Sequence, residues 1–250
     1  MPTLKTLPPV IAVLFLTACA VPGPGDAPDG IFDPQEAGNR RVHAFNKRVD
    51  SALGGGGEGG ASAIPAPVLN GVSNVADTLR LPQTVVNQLL QARLGRATRN
   101  TLRFGVNATV GLAGLFDVAG RIGLPEDKSD FGETLHVWGF PEGAYIELPL
   151  IGPATEREAV GKVVDVALNP LGYFNLPDPE RYYSVGIRAA GKVADRVAYG
   201  DTLDTLLYDS ADSYAQTRNS YLAYRRYQIG DTETGAADYI DPEALDTEGF

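Results

Sequence analysis

The hydrophobic pattern of the chain is helical over most of its length. Between Asn70 and Leu90 the apolar residues follow the i, i+3, i+4, i+7 spacing of one helix face, and Pro82 is expected to break or restart that helix. Further helices are predicted over residues 33–53, 155–167, 181–198 and 201–227. Asp130–Pro153 is expected to be irregular and aromatic, with one short strand over Tyr145–Leu150. The pattern therefore predicts an all-α fold class.

The N-terminus resembles a bacterial lipoprotein signal. One lysine precedes an apolar run over Val10–Leu16, and small residues follow up to Cys19. Leu16-Thr17-Ala18-Cys19 resembles the lipobox, in which the cysteine receives a diacylglycerol thioether and becomes the new N-terminus. We expect a signal peptide over residues 1–18, lipidation of Cys19 and a flexible tether over residues 19–32. The alternative is an ordinary signal peptide with a cysteine near its cleavage point.

Composition and charge narrow the classes of partner. A formal net charge of -10 argues against binding to nucleic acid, and the single cysteine excludes an intrachain disulfide and a thiolate zinc cluster. Residues 33–228 are predicted to form one helical domain, in which the glycine-rich residues 54–60 form a hinge or a surface loop. Residues 229–250 hold seven acids and no base, which predicts a disordered acidic tail.

Four arginines form a basic stripe within this acidic chain. Arg93, Arg96, Arg99 and Arg103 are spaced by 3, 3 and 4 residues, so on a helix they fall within about one third of the circumference. They adjoin Phe104–Phe116, an uncharged run of 13 residues that is too short to span a bilayer unaided. The stripe predicts either a solvated helix face or a helix at a membrane interface, with its guanidinium groups beside lipid phosphates.

The sequence contains no recognisable catalytic or metal-binding motif. His43 and His136 are the only histidines, and neither belongs to an H-x-x-x-H or H-E-x-x-H pattern. The chain has no G-x-S-x-G nucleophile elbow. We therefore expect no enzyme activity, no cofactor and no bound metal.

Short motifs in a fixed order resemble one known family. They include Asp33-Pro34, Asn39-Arg40, Ala44-Phe45-Asn46, Arg103-Phe104, Asn107, Asp117, Phe131-Gly132, Trp138-Gly139, Gly143, Tyr145, Leu148-Pro149 and Gly152-Pro153. The set covers roughly residues 33–228 and resembles the MlaA (VacJ-type) outer-membrane lipoproteins. Each motif alone is weak, but the ordered set is specific.

The resemblance implies a ring-like arrangement of short helices in the outer membrane, with an amphipathic channel through its middle. It also implies a lipid anchor facing the periplasm, a trimeric porin as neighbour and a soluble periplasmic lipid carrier. Such proteins remove phospholipids from the outer leaflet and pass them to that carrier, which maintains lipid asymmetry. Gly139 and Gly143 match the glycine-rich part of the family's flexible hairpin, so they are expected either to act as hinges that gate the channel or to form a plain turn.

A second hypothesis is a structural or scaffold lipoprotein of the envelope that does not translocate lipid. In that case the arginine stripe and the glycines serve packing alone. Lipid occupancy of the purified protein distinguishes the two hypotheses.

Overall fold

The computed structural model describes residue 27 and residues 30–52, 55–56, 64–170 and 183–230. Cys19 and the predicted signal peptide therefore lie outside the described residues, as do most of the predicted tether, most of the glycine-rich run and nearly all of the predicted acidic tail.

The described residues are mostly helical, which confirms the predicted fold class. In chain order the elements are α1 (Glu36–Ala52), α2 (Ala66–Leu90), α3 (Leu94–Thr109), α4 (Val118–Arg121), α5 (Phe131–Val137), β1 (Tyr145–Leu148), β2 (Gly152–Thr155), α6 (Glu156–Leu168), α7 (Tyr183–Ala198), α8 (Gly200–Asp204) and α9 (Ser213–Ile229). A π-helical turn, Thr205–Asp209, extends α8. Helix α2 packs mainly against α3 and α7, and α5 packs against α6.

Helix α2 continues through Pro82, so the predicted break at this residue is wrong. A proline inside a helix removes one backbone donor and crowds the carbonyl groups of the preceding turn. Arg188 of α7 donates from Nη2 to the carbonyl oxygen of Leu79 at 2.9 Å. Tertiary packing thus supplies a donor within the turn that the proline disturbs. The helix continues through this turn to a total length of 25 residues.

The C-terminal segment is not the single helix that was predicted over residues 201–227. After the π-helical turn the backbone becomes extended at Ser210, with ψ at 144°. Asp212 then begins α9 as its N-cap, because its carboxylate accepts from the backbone N–H of Ala215 at 3.1 Å. A polar capping residue therefore divides the segment into two helices.

The segment expected to be irregular contains more regular structure than its pattern indicated. The predicted strand is confirmed as β1, and it pairs antiparallel with β2, Tyr145 opposite Thr155 and Leu148 opposite Gly152. Asp130 accepts from the backbone N–H of Glu133 at 2.9 Å and so caps the short helix α5. Neither α5 nor β2 was predicted, since elements of four to seven residues carry too few positions to show a period.

The uncharged run is also divided. Helix α3 ends at Thr109, and the chain then turns through residues 110–116 with positive φ at Leu112, Ala113 and Gly114. A left-handed backbone is uncommon at non-glycine residues, so this turn is held by its surroundings. Its consequence is that the apolar side chains of the run leave the helix and reach the surface.

The interior is polar and much of the surface is apolar. Among the described residues the largest fully buried side chains are those of Arg157, Tyr145, Gln88, Asn87, Asn100, Thr134 and Thr155. Exposed large apolar side chains include those of Leu94, Leu102, Val110, Leu112, Leu115, Phe116, Ile122, Trp138, Leu150 and Ile151. None of the helices in the described ranges combines the length and apolar composition that crossing a membrane requires.

We predict that Gly161→Ala destabilises the fold by about 1–3 kcal/mol. A methyl group at this position of α6 would lie 2.4 Å from the backbone nitrogen of Gly132, so α5 and α6 would have to separate. Urea unfolding of the detergent-purified protein measures the change. Gly105→Ala on α3, where an added methyl group meets nothing within 4 Å, is the matched control and should be neutral or slightly stabilising. Equal stability of the two variants would contradict the close approach of α5 and α6.

Candidate functional site

Two asparagines of the N-terminal motif bind the free edge of β1. Asn39 donates to the carbonyl of Tyr145 and accepts from the N–H of Glu147, both at 3.0 Å. Asn46 lies seven residues later on the same face of α1 and donates to the carbonyl of Leu148 at 3.0 Å. Its amide oxygen accepts from the N–H of Leu150 at 2.7 Å. The two side chains thus satisfy backbone groups of β1 and of the turn that follows it, as a third strand would.

The same helix is fixed to α9 by charged groups. Arg40 donates to both carboxylate oxygens of Asp212, at 2.9 and 2.8 Å, and this pairing lowers the pKa of Asp212 to about 2. Arg218 of α9 donates to Asp33 at 2.7 Å. Buried His43 contacts Ser213 at 3.2 Å and packs edge-on against Tyr214. These contacts give the N-terminal motif a structural role at the join of α1, β1 and α9.

The aromatic and proline residues of the motif set occupy different environments. Phe45 of α1 is exposed, Phe104 of α3 is half-buried, and Pro149 is exposed in the turn between the two strands. Tyr145 is buried, and burial together with its hydrogen bond to Glu147 raises the pKa of its hydroxyl far above the usual value. The tyrosine is therefore a neutral core residue.

The arginine stripe meets acids of the protein itself. Arg93 forms an ion pair with buried Glu133, and Arg96 contacts the same carboxylate at 3.2 Å. The Nε of Arg96 also lies 2.8 Å from both carboxylate oxygens of Asp127. Arg99 is 3.7 Å from Asp127 and its side chain remains 47% exposed. Of the four arginines, Arg99 therefore has the most exposed side chain and is the most available to an outside partner.

The fourth arginine belongs to a buried corner between α3 and α4. Arg103 donates to the carbonyl of Leu124 at 2.6 Å and to Asp117 at 2.8 Å. Asn107 donates to Asp117 at 2.9 Å and accepts from the N–H of Ala119 at 2.9 Å. Asp117 also caps α4, and these bonds lower its pKa although burial opposes them. Three of the predicted motif residues are thus brought together in one network.

A cavity of about 100 Å³ lies beside this corner, between α2 and α3. Its lining adds Asp77 and Thr78 of α2 and Glu126 of the α4–α5 connection to the corner residues. Burial raises the pKa of Asp77 and of Glu126, because the loss of solvation outweighs the effect of nearby cations. Sequence reasoning missed this cavity, since its acids are scattered singly along the chain.

The candidate hinge glycines both adopt left-handed backbone conformations. Gly139 has φ of 86° and ends α5, and Gly143 has φ of 76° just before β1. A methyl group at Gly143 would lie 2.6 Å from a carboxylate oxygen of Glu156, whereas Gly139 has open space around it. Trp138, half exposed, donates from its indole nitrogen to the carbonyl of Leu90 at 3.3 Å. The segment is thus bounded by positions that favour glycine, as a turn or a hinge requires.

A second group of buried polar residues joins the helices around α5. Arg225 of α9 donates to Asp130 and to Glu158, both at 2.6 Å. Asn87 of α2 donates to Asp165 of α6 at 2.8 Å, and Gln91 donates to Thr134 at 2.8 Å. The signal that could have found part of this network is the set of amide side chains that interrupts the apolar stripe of α2.

The predicted site residues lie in separate parts of the described structure. Within the described ranges, no cluster of histidine, cysteine, aspartate and glutamate has the grouping that a metal ion requires. Most of the predicted site residues form three groups, namely α1 with the hairpin, the arginines with Asp127 and Glu133, and the corner at Asp117. Gly139, Gly143 and Trp138 lie apart from these groups, between α5 and β1. Acids and bases in these groups serve one another as hydrogen-bond partners.

Comparison with known proteins identifies the family. A sequence model of the MlaA lipoprotein family matches residues 31–228. The chain belongs to the MlaA lipoprotein family. The resemblance predicted from the ordered motifs is therefore confirmed.

Individual proteins also match this chain along most of their length. An uncharacterised protein of Rickettsia conorii is 36% identical over 205 residues, which are 80% of this chain and 78% of that protein. The intermembrane phospholipid transport system lipoprotein MlaA of Escherichia coli strain K12 is 29% identical over 216 residues, covering 84% of this chain and 83% of that protein. A solved structure concerning the maintenance of bacterial outer membrane lipid asymmetry superposes with a TM-score of 0.63 and 27% identity. The superposition covers 79% of this chain and 98% of the chain in the solved structure.

We predict that Asn39→Ala exposes the amide of Glu147 to hydrogen exchange, and that Asn46→Ala does the same for Leu150. Each variant removes an acceptor from one backbone N–H of the hairpin. Asn39→Ala leaves the buried amide of Glu147 unpaired and should cost about 1–3 kcal/mol of folding free energy, whereas the exposed amide of Leu150 can bind water, so Asn46→Ala should cost less. Amide hydrogen exchange followed by mass spectrometry measures both positions. Each variant serves as the control for the other, because the two asparagines bind different residues. Uniform loss of protection in both variants would contradict separate edge contacts.

Proposed function

We propose that the chain acts in the phospholipid transport that maintains outer-membrane lipid asymmetry. The observation that carries this proposal is the similarity along most of the chain to two proteins. One is named as a lipoprotein of a phospholipid transport system, and the other is a solved structure concerning outer membrane lipid asymmetry. The distribution of polar and apolar side chains supports the proposal. Buried amide and charged side chains lie inside, and large apolar side chains lie on the surface.

The proposed location is the outer membrane, with a lipid anchor at Cys19 on the periplasmic side. Lipid on the cysteine would hold the domain at the bilayer, and exposed side chains such as Leu102, Leu112 and Trp138 would then contact acyl chains. Arg99 has the most exposed side chain of the stripe, so it is the residue that we assign to a lipid phosphate. The other three stripe residues hold α5, Asp117 and Asp127 in place.

In this proposal phospholipids leave the outer leaflet through an amphipathic channel and pass to a soluble periplasmic carrier. A trimeric porin is the proposed neighbour in the membrane. A headgroup that crosses a bilayer needs polar partners, and the buried polar side chains of α2, α5, α6 and α9 are of the kind that such a path requires. Gly139 and Gly143 are the proposed hinges that open and close it.

The second candidate function is a scaffold of the envelope that moves no lipid. The observation that favours it is the internal pairing of the arginine stripe, since Arg93, Arg96 and Arg103 all have partners within the protein. A scaffold does not need to carry lipid when it is purified, whereas a lipid-transport protein is expected to carry it.

We predict that the full-length protein, purified in mild detergent, retains phospholipid that lipid extraction and mass spectrometry detect. A strain that lacks the protein should expose more phospholipid in its outer leaflet, measured by labelling intact cells with a membrane-impermeant amine reagent. Re-expression of Gly139→Ala should restore asymmetry less than re-expression of Gly105→Ala, because only the first opposes a left-handed conformation. Normal asymmetry in the deletion strain, with no lipid in the purified protein, would favour the scaffold.

We predict that Cys19 carries the lipid anchor. Cells grown with labelled palmitate should transfer label to the wild-type protein and not to Cys19→Ala, since the thioether needs the cysteine sulfur. Ala20→Ser, which leaves the cysteine in place, is the control and should be labelled. A labelled Cys19→Ala protein would refute the anchor.

A further inference from the structure

The side chain of Lys162 in α6 carries a positive charge without a partner. It is half-buried, yet within the described ranges it forms no hydrogen bond and no ion pair. The buried polar atoms that lack a partner include Nε of Arg157 and Nε of Arg225 but not Nζ of Lys162, so this ammonium group still reaches solvent. A half-buried cation is costly unless an anion accompanies it, so the position favours an anionic ligand.

The acids near Lys162 are already bound to an arginine. Glu158, one turn earlier on α6, and Asp130 both accept hydrogen bonds from Arg225 at 2.6 Å. Lys192 of α7 is a further cation near Lys162, and it too has no ion pair in the described part of the chain. Burial lowers the pKa of Lys162, the two acids oppose this change, and Arg225 and Lys192 add to it. In this group three cations share two carboxylates, which leaves a net positive charge.

Both helices that carry these lysines are fixed to α2. Asn87 of α2 donates to Asp165 of α6 at 2.8 Å. Arg188, one turn before Lys192 on α7, donates to the carbonyl of Leu79 of α2 at 2.9 Å. The two points of attachment are separated by about 12 Å along α2, at 1.5 Å per residue. Helix packing, rather than a loop, therefore sets where the two ammonium groups lie.

Exposed valines lie beside both lysines. Val163 and Val166 of α6 are 71% and 79% exposed, and Val193 of α7 is 50% exposed. Val163 directly follows Lys162, and Val166 lies one turn after it. Val193 directly follows Lys192 in the same way. Such a surface has the two chemistries of a phospholipid, whose anionic phosphate adjoins apolar acyl chains.

We propose that the ammonium groups of Lys162 and Lys192 bind the phosphate of a membrane phospholipid, whose acyl chains lie against the exposed valines of α6 and α7. The proposal rests on the proposed function and deepens it by assigning two residues to the lipid headgroup. Each ammonium group has three donors and the phosphate has anionic oxygen acceptors, so charge-assisted hydrogen bonds form. The phosphate is common to all phospholipids, so this site distinguishes them from diacylglycerol and not from one another.

Native mass spectrometry of the full-length protein in detergent, with phosphatidylglycerol and diacylglycerol of the same acyl chains in equal amounts, tests the proposal. We expect the wild-type protein to retain phosphatidylglycerol about tenfold or more over diacylglycerol, as a charged hydrogen bond predicts. The double variant Lys162→Met, Lys192→Met should lower this ratio about tenfold but still retain both lipids. Lys128→Met, at an exposed lysine of the α4–α5 connection, is the matched control and should keep the ratio.

A second measurement needs no variant. Acetylation by an amine-reactive ester, followed by mass spectrometry, measures how accessible each lysine is in the delipidated wild-type protein. Phosphatidylglycerol should protect Lys162 from acetylation. Diacylglycerol and inorganic phosphate should not, since the first lacks the phosphate and the second lacks the acyl chains. The acetylation of Lys128 should be the same in all three cases.

The phosphate site would be overturned by equal retention of the two lipids, by an unchanged ratio in the double variant, or by equal protection of Lys162 by the two lipids. Lack of acetylation of Lys162 in the delipidated protein would overturn it as well, because the ammonium group would then be closed to ligands. Equal protection by inorganic phosphate would overturn the assignment to a lipid. Retention of neither lipid would instead overturn the proposed function, and the phosphate site with it.

Discussion

Hydrogen bonds between buried polar side chains are the interactions on which the rest of the structure depends. Asn87, Gln88 and Asn100 are almost fully buried. Each donates a hydrogen bond to another helix or to the connection between α4 and α5. A buried polar group is costly unless it is paired, so these side chains fix the relative positions of α2, α3 and α6. Because polar groups occupy the interior, large apolar side chains occupy the surface, which is the polarity that a lipid-exposed protein needs.

The same principle fixes the N-terminal helix and the hairpin. A two-stranded sheet is marginal alone and leaves two free edges, and the two amide side chains of α1 satisfy one of them. Arg40 with Asp212 then joins α1 to α9, and Arg218 with Asp33 joins α9 to the segment just before α1. The N-terminal residues that resemble the family motif therefore hold α1 and α9 together around the hairpin.

Local signals predicted elements well only where they were long. The apolar period identified α2, α6 and α7, and the lipobox and ordered motifs indicated an MlaA-like envelope protein. Pro82 was misjudged because the donor that compensates for it, Arg188, lies 109 residues away in the chain. The final helix was predicted as one piece because its period does not show the cap at Asp212. Elements as short as α5 and β2 have too few residues to carry a period at all.

The sequence by itself determined the helical fold class, the family and the lack of a recognisable catalytic motif, because period and motif are properties of neighbouring residues. Only the tertiary structure decided what the polar residues do. Arg93 and Arg96 formed a stripe in the sequence, yet Glu133, some 40 residues later, makes that stripe part of the packing between α3 and α5. The cavity beside Thr78 likewise requires three separate segments to meet. Such pairings depend on distance in space, which the order of residues along a chain does not specify.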